Sequence, residues 1–291
     1  RTCDGFLSEL DRLVWHQDQP FTTASIYAQW CVMRAARESS IPVLLDGQGA
    51  DEGLCGYRKY YALRLIGLLK SGRLGTALSE AASLLTRGDR GLLRLRGARR
   101  YLPRGTHRPE SAAMLQGELR HAHDSTRIDL VAAANIPARQ LADLTTFSVP
   151  SLLRYEDRNS MAWSIESRVP FLDYRLVSFL LGLPDDYKLR AGRTKAVLRD
   201  AMAGIVPASV LSRRDKVGFE TAQDRWMRGA LGDVIHRTLV DENSRLSPWL
   251  DRELALRAFD RARSGGSAEA RSAFVRIHIL ERWFERFDVA A

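Results

Sequence analysis

The chain has 291 residues, of which 45% are hydrophobic and 27% charged, and its formal net charge is +9. This balance excludes an intrinsically disordered protein, and the length allows one large or two small domains with a sizeable core. No apolar run reaches the roughly 18–20 residues of a membrane span, and no basic-then-apolar leader is present. Because the chain begins at Arg1 without a methionine, we expect an N-terminal portion to precede it.

The cysteines indicate the cellular compartment. Cys3, Cys31 and Cys55 have none of the paired spacings that are typical of zinc sites. Isolated cysteines in a chain of this length indicate reduced thiols, so we expect a cytoplasmic protein without structural zinc.

The first part of the chain has the pattern of an α/β unit. Residues 24–38 are apolar around most of a helical circumference, which is typical of a helix packed on a sheet. Residues 41–45, "IPVLL", are short, β-branched and bounded by Pro and Gly, so they predict a buried, parallel strand. A second helix is expected to begin near Ala50. A helix, a buried strand and another helix in this order predict an α/β fold.

The rest of the chain is predicted to be mostly helical. From Tyr57 to about Thr146 the helices are broken by Gly-, Pro- and Arg-rich joints at 87–109. Helices follow at 152–164 and 174–183, the second capped by Asp173, and at 192–202, capped by Thr194. Residues 251–287 predict two amphipathic helices joined by "SGGS" at 264–267. The predicted strands are too few for a complete doubly wound domain.

The positive charge is concentrated in one segment. Between Arg87 and Arg108 there are eight arginines and one acid, Asp89, so this stretch carries +7 of the net charge. One interpretation is a patch that binds nucleic acid or polyphosphate. We favour a solvated insertion at 87–110, because only Tyr101 supplies an interleaved aromatic ring and no nucleic-acid motif is present.

The stretch "LLDGQGADEGLCGYRKYY" at 44–61 has the composition of a phosphate site. Gly47 and Gly49 allow the backbone to approach a ligand closely at the end of a strand, where ligands bind in open α/β sheets. A helix beginning near Ala50 would direct free N–H groups at a phosphate. Asp51 and Glu52 add hard oxygen ligands that suit Mg²⁺. The alternative is a structural turn in which the two acids only favour the helix dipole.

Two further stretches carry dense charge. Residues 154–173 alternate acids with arginines beside apolar residues, which predicts paired and partly buried charges. Lys195 is predicted in the first turn of a helix, where a cation is unfavourable unless an anion lies nearby. Lys216, in "SRRDKVGFE" at 212–220, is a candidate for stabilising charge that develops on a phosphate. The alternative for residues 154–173 is a salt-bridged helix pair. The alternative for the two lysines is an exposed basic loop.

Together, four ordered motifs resemble the synthetase domain of glutamine-hydrolysing asparagine synthetases. They are "LVWHQDQPFTTASIYAQW" at 13–30, "LLDGQGADEGLCGYRKYY" at 44–61, "LLRYEDRNSMAWSIESRVPFLDYRLV" at 152–177 and "GRTKAVLRDAM…SRRDKVGFET" at 192–221. The resemblance covers almost the whole chain, and it is loosest over 62–140. It implies an α/β fold of the PP-loop ATP-pyrophosphatase type, with a Rossmann-like parallel sheet that is incomplete here and mostly helical surroundings. Residues 1–291 would then be a partial asparagine synthetase domain.

The resemblance implies a reaction. Members of the family activate the side-chain carboxylate of aspartate with ATP and Mg²⁺, forming β-aspartyl-AMP and pyrophosphate, and ammonia from a glutaminase domain then displaces AMP. By matching motif positions, the implied metal ligand is Asp51 and the implied catalytic lysine at the α-phosphate is Lys216. The implied nucleotide contacts are Asp46, Gly47, Gly49 and Lys195. The implied substrate-binding residues are Glu52, Asp157 and Arg158.

The chain departs from the family pattern in three respects. The glutaminase domain with its nucleophilic Cys and the Ser-Gly-Gly-x-Asp-Ser loop are absent from these residues, so we expect the 291 residues alone not to make asparagine. Many members have Ser and Glu where this chain has Asp46 and Gln48. The resemblance implies a catalytic position at Gln48, because the family's Glu is a candidate for handling ammonia or the intermediate, but Gln48 cannot accept a proton. An enzyme that amidates another carboxylate or uses another amine, and a non-catalytic or nucleic-acid-binding fragment, therefore stay open. We expect no membrane association and no nucleic-acid partner, and we consider a homodimer.

Overall fold

The computed structural model describes residues 1–86, 113–125, 135–213, 218–219 and 221–289. Within them, the chain is mostly helical and contains a single two-stranded parallel sheet. The α-helices in chain order are α1 (Cys3–Gln17), α2 (Ser25–Glu38), α3 (Ala50–Gly53), α4 (Arg58–Lys70), α5 (Leu74–Thr86), α6 (Gly117–Ser125), α7 (Ile136–Ala142), α8 (Val149–Met161), α9 (Tyr174–Gly182), α10 (Asp185–Lys188), α11 (Ala196–Ala201), α12 (Ala208–Leu211), α13 (Gln223–Arg228), α14 (Ala230–Val240), α15 (Arg252–Ser264) and α16 (Ala268–Phe287). The strands are β1 (Val43–Leu45) and β2 (Glu166–Arg168), and shorter turns are a π-helix at Asp143–Phe147 and 3-10 helices at Pro170–Leu172 and Ser247–Trp249.

Most predicted helices are present, and the fold is a mostly helical α/β arrangement. The predicted helix at 24–38 is α2, the helices at 152–164 and 174–183 are α8 and α9, and the two tail helices are α15 and α16. Asp173 caps α9 as predicted, because its Oδ1 accepts a hydrogen bond of 2.9 Å from the Arg175 backbone N–H. The Arg-rich segment at 87–110 lies outside the described residues. No helix in the described part of the chain has both the length and the apolar character needed to cross a bilayer.

The strand prediction is confirmed in its direction and wrong in its burial. β1 pairs with β2 in parallel, and Val43 lies opposite Glu166. Leu44 packs against Met33 of α2, but Val43 is 37% exposed and Leu45 is 74% exposed. Successive side chains of a strand point to opposite faces, and among the described residues only the Leu44 face is covered by a helix.

The helix predicted at 192–202 is shorter than expected. α11 begins at Ala196, and Lys195 before it has a left-handed backbone with a φ of 54°. Thr194 does not cap the helix; its carbonyl instead accepts a hydrogen bond from Arg199. Lys195 therefore occupies the N-cap position, directly before the first turn of α11.

The largest core, here called the apolar core, joins the two ends of the chain. Side chains of α1 and α2 pack against those of α13 to α16, and the buried members include Phe6, Leu13, Trp30, Phe259 and Phe274. The rings of Phe259 and Phe274 meet edge to face with centroids 5.3 Å apart, a favoured geometry for aromatic pairs. The amphipathic α16 stabilises this core because its apolar stripe faces inward along the whole helix.

Candidate active site

The loop after β1 is fixed by backbone contacts at the carboxyl end of the sheet. The Asp46 N–H donates to the carbonyl of Arg168 at 2.8 Å, and the Asp46 side chain accepts from the Gln48 N–H at 3.0 Å. Gly49 has a φ of 86°, and a Cβ there would lie 2.2 Å from Leu172. Glycine is therefore required at 49 for both conformation and space. A Cβ built on Gly47 would meet no described atom within 4 Å, so this side of the loop is open.

The two adjacent acids of the loop have different environments. The Asp51 carboxylate forms an ion pair with Lys195, with Oδ1 and Nζ 2.8 Å apart, and each side chain is about one quarter exposed. Glu52 is buried, with 1% exposure. Its Oε1 accepts hydrogen bonds from Tyr57 at 2.8 Å and from Ser148 at 2.5 Å. Asp51 is thus accessible to a ligand, whereas Glu52 holds neighbouring side chains in place.

Gly56 permits the pairing of Asp51 with Lys195. A Cβ at position 56 would lie 1.9 Å from Asp51 Oδ1 and 2.6 Å from Lys195 Cε, closer than real Cβ contacts come. The anion that Lys195 was predicted to need is therefore Asp51, which the chain turn at Gly56 brings within reach.

Polar side chains that are buried or nearly buried lie beneath the acidic loop and form what we call the polar cluster: Lys59, Tyr60, Arg139, Gln140 and Asp143. Asp143 is fully buried and accepts hydrogen bonds from the Tyr60 hydroxyl at 2.7 Å and from Arg139 Nη2 at 2.8 Å, while Lys59 forms an ion pair with it. Burial alone would raise the pKa of Asp143, but the donors Arg139, Lys59 and Tyr60 outweigh it and lower the pKa. Asp143 is therefore an ionised anchor for three donors.

The polar cluster also supports the backbone of the acidic loop. The side-chain amide of Gln140 donates to the carbonyl of Glu52 at 3.1 Å and to that of Gly53 at 2.7 Å. Lys188, fully buried, donates to Gln140 Oε1 at 2.8 Å. Each of these contacts satisfies a buried polar group and restrains α3, the short helix that carries Asp51 and Glu52.

The remaining predicted residues lie in other places. Asp157 and Arg158 are exposed on α8, and Arg158 Nη2 lies 3.4 Å from a carboxylate oxygen of Asp18. Lys216 lies outside the described residues. The structure thus gathers Asp46, Gly47, Gln48, Gly49, Asp51, Glu52 and Lys195 around one loop, and it places Arg158 at the end of α1.

Sequence reasoning passed over Glu156, which adjoins the predicted Asp157. Glu156 is 2% exposed, and the hydroxyl of Ser167 on β2 donates to its Oε1. The side chains of Asp46 and Gln48 approach it from the loop after β1. The helical periodicity of this segment could have indicated that Glu156 is buried, because Glu156, Asn159 and Ser160 share the buried face of α8.

The residues fit a magnesium–nucleotide complex at Asp51. Among the described residues no group of three or more His, Cys, Asp or Glu side chains could enclose a metal ion. Mg²⁺ does not need such a cage, because it commonly takes one or two carboxylates together with substrate phosphates and water. A partly exposed carboxylate beside an open glycine loop and a lysine provides this donor set.

An apolar cavity adjoins the same lysine. It has a volume of about 740 Å³ and lies between α9, α11 and α12. Lys195 and Arg199 supply its charged groups, and its apolar lining includes Phe179, Val197 and Met202. The cavity has the size of a small-molecule site, with a cation at its edge.

A family profile and two individual relatives agree on the family that this chain matches. The sequence profile of the family described as asparagine synthase matches residues 2–285. Glutamine-hydrolyzing asparagine synthetase 1 of Bacillus subtilis is 30% identical over 257 residues, which cover 82% of this chain and 40% of that protein. A Mycobacterium bovis protein provisionally named glutamine-hydrolyzing asparagine synthetase is 32% identical over 288 residues, 93% of this chain and 43% of its own length. The chain thus spans about two fifths of these relatives.

Proposed function

The chain belongs to the asparagine synthase family, and we propose that it is the ATP-dependent synthetase part of an enzyme that converts aspartate to asparagine. In this reaction the side-chain carboxylate of aspartate attacks the α-phosphorus of ATP, and pyrophosphate leaves. Ammonia derived from glutamine then attacks the carbonyl carbon of β-aspartyl-AMP, AMP leaves and a proton is released. The proposal includes a PP-loop type of fold, a glutaminase domain as the ammonia source and a homodimer.

The observation that carries the proposal is the ion pair between Asp51 and Lys195 beside an open glycine loop. A triphosphate with its metal ion offers each member a new partner: the cation for the carboxylate and phosphate oxygens for the ammonium. Their mutual pairing keeps both charges in place before the nucleotide arrives. A purely structural ion pair would not need an adjacent backbone with open space at Gly47.

Each site residue then has a role. Asp51 would hold Mg²⁺, which neutralises the phosphate charge. Lys195 would bind pyrophosphate oxygens, and Lys216 would stabilise negative charge at the α-phosphate. Asp46 and the glycines Gly47 and Gly49 would contact the nucleotide from the loop.

Substrate binding is assigned to two places. Asp157 and Arg158 on the exposed face of α8 are the proposed contacts to aspartate. Glu52 would act through Tyr57 and Ser148, because its carboxylate accepts hydrogen bonds from both and fixes their positions.

A second function of the same class is favoured by Gln48 and by the apolar cavity. Gln48 cannot accept a proton from an attacking amine, and the cavity at Lys195 would accommodate an acyl or amine substrate larger than aspartate or ammonia. The enzyme would then activate another carboxylate with ATP and join it to another amine.

Pyrophosphate exchange tests both functions. The protein encoded by the complete reading frame is incubated with ATP, Mg²⁺ and labelled pyrophosphate, with aspartate or other carboxylates. We expect label to enter ATP only when aspartate is present, because adenylation is reversible before ammonia is added. The charge-neutral variant Asp51→Asn should reduce exchange about 100-fold or more, a loss typical of groups that stabilise a transition state.

The controls separate the outcomes. Glu253→Gln changes one charge on the exposed face of α15, where Glu253 pairs with Arg257 in the same helix, and it should leave exchange unchanged. Exchange with another carboxylate and not with aspartate would support the second function. Absence of exchange with every carboxylate, or full exchange in Asp51→Asn, would refute the assignment.

A further inference from the structure

Glu156 combines deep burial with an unfilled hydrogen-bonding site. The residue is 2% exposed, and its Oε1 accepts from Ser167, but Oε2 is buried without a hydrogen-bond partner among the described residues. A buried, unpaired carboxylate oxygen is costly, so such atoms normally have a partner or carry a proton. Oε2 of Glu156 therefore needs either a donor or, if it carries a proton, an acceptor.

Asp46 is the acceptor that the structure offers. The Asp46 carboxylate and the Gln48 amide are the polar neighbours that approach Glu156 from the loop after β1. Two carboxylates in one low-dielectric site repel each other, so one of them binds a proton. Burial is the main cause that raises the pKa of Glu156; the Ser167 hydrogen bond opposes it, Asp46 raises the pKa further and Gln48 lowers it, and the net direction is upward.

Other charges near α8 do not compensate Glu156. Arg37 of α2 is exposed. The other arginines of α8 and of the elements packed against it are engaged elsewhere: Arg12 over the rings of Trp30 and Trp163, Arg34 with Glu9, Arg154 with the Gln17 carbonyl, Arg158 with Asp18 and Arg168 with Glu166. The protonation of the pair of Glu156 and Asp46 therefore depends on its own two carboxyl groups, together with Ser167 and Gln48.

We propose that Glu156 is held in its protonated form and donates a hydrogen bond from Oε2 to the Asp46 carboxylate, so that it positions the loop of residues 46–48 for the nucleotide. This inference rests on the function proposed above, in which the loop contacts ATP. Asp46 already accepts from the Gln48 N–H at 3.0 Å, and the second donor would fix the carboxylate from the helix side. Glu156 is then a positioning residue that acts through Asp46.

The isosteric change Glu156→Gln tests whether Glu156 acts as a hydrogen-bond donor or as a negative charge. A glutamine offers an oxygen to Ser167 and an N–H to Asp46, so it reproduces the proposed hydrogen bonds at every pH. We expect Glu156→Gln to retain pyrophosphate exchange within about 3-fold of the unmodified enzyme, while Glu156→Leu raises the KM for ATP about 10- to 100-fold, the value of a hydrogen bond to a charged group. The KM for aspartate should change less, because the loop contacts the nucleotide.

The pH profile adds a readout that a merely structural role would not move. Exchange by the unmodified enzyme should fall as pH rises through the pKa of Glu156, because two carboxylates then face each other, and Glu156→Gln should remove this fall. Glu166→Gln is the matched control, since it removes one exposed carboxylate from the neighbouring strand and should keep the original profile.

Infrared spectroscopy provides a test that is independent of activity. The carbonyl band of a protonated carboxyl group should be present at neutral pH in the full-length enzyme and absent in Glu156→Gln. Absence of that band, or equal losses in Glu156→Gln and Glu156→Leu, would overturn the inference. If the enzyme shows no exchange with any carboxylate, the proposed function fails, and the band still decides whether Glu156 is protonated.

Discussion

The apolar core and the polar cluster are two buried regions of one chain that are held together by different forces. In the apolar core, Phe259 and Phe274 contribute mainly by removing apolar surface from water. In the polar cluster, Asp143 contributes by accepting from three donors, Lys59, Tyr60 and Arg139, in a buried site. The first kind of contact tolerates substitution by other apolar residues, whereas the second depends on every member.

The apolar core and the polar cluster also differ in their position relative to the candidate site. The apolar core joins the terminal helices, and the polar cluster lies directly below Asp51 and Glu52, where Gln140 binds the carbonyls of Glu52 and Gly53. Directional hydrogen bonds hold a loop to one geometry more strictly than apolar contacts do. Substitutions in the apolar core should therefore change stability alone, and substitutions in the polar cluster should change stability and activity together.

The largest expected effect is that of Asp143→Ala. The change leaves the cations of Lys59 and Arg139 buried without their acceptor, which costs about 3–5 kcal/mol of the free energy of unfolding. Urea unfolding measures the loss, and exchange per folded molecule should also fall. Glu253→Ala, on the exposed face of α15, is the control, with a change of about 0.5 kcal/mol or less. A loss of under about 1 kcal/mol in Asp143→Ala would mean that the polar cluster is not a structural anchor.

Acid should weaken the apolar core through His278. Burial is the main cause that lowers the pKa of His278 to about 4, and its Nδ1 lies 3.1 Å from the Thr238 hydroxyl. The unfolded chain binds a proton near pH 6.5 and the folded chain does not, so stability is complete above that pH and is lost as pH falls toward about 4. The loss should be about 2–3 kcal/mol.

The variant His278→Gln isolates this contribution. Urea unfolding at pH 7 and pH 4.5 is compared for the two proteins, and His278→Gln should lose about 2 kcal/mol less between those pH values than the unmodified protein. An identical pH dependence in both proteins would show that folding does not lower the pKa of His278.

A smaller effect is expected for Phe259→Leu in the apolar core. The side chain becomes smaller but stays apolar, so unfolding should cost about 1 kcal/mol less. Exchange per folded molecule should equal that of the unmodified enzyme, because no contact of the candidate site involves Phe259 among the described residues. A change in the KM for ATP would contradict the division between the two regions.

The smallest effect on stability is expected for Gly56→Ala. The added methyl group would displace the ends of Asp51 and Lys195, which are flexible and partly exposed, so the free energy of unfolding should fall by about 1 kcal/mol or less. The ion pair, however, would be separated, and the KM for ATP should rise. Equal KM values for the variant and the unmodified enzyme would show that the pair has no part in nucleotide binding.

Local features of the fold were predictable from sequence. The helices α15 and α16 follow from their periodicity, because each exposes one polar face and buries one apolar stripe. The helix α2 follows from apolar residues around most of its circumference. The parallel direction of β1 also follows from its composition and context. Its burial does not, since burial depends on which distant elements cover each face, and the exposed Val43 and Leu45 have the same residue types as a buried strand.

The loop of the candidate site was predictable from the sequence, whereas the buried residues that support the loop were not. The stretch at 44–61 indicates a ligand site by its glycines and acids, and the unfavourable place expected for Lys195 indicates a nearby anion. That this anion is Asp51 depends on the tertiary fold. Asp143 was missed because a single charged residue in a helix has the pattern of a solvated surface, and only the packing of distant segments reveals that it is buried. Glu156 lies in the stretch at 154–173 that predicted partly buried charges, but it was not singled out among the acids of that stretch.

The exposed side of β1 has a consequence for handling this chain in solution. Val43 and Leu45 present apolar side chains on a strand whose outer edge has no partner among the described residues. Such an edge is a template on which another polypeptide can add a strand, and neighbouring apolar side chains favour this addition. The colloidal stability of the 291-residue chain should therefore depend on concentration more steeply than its net charge of +9 suggests.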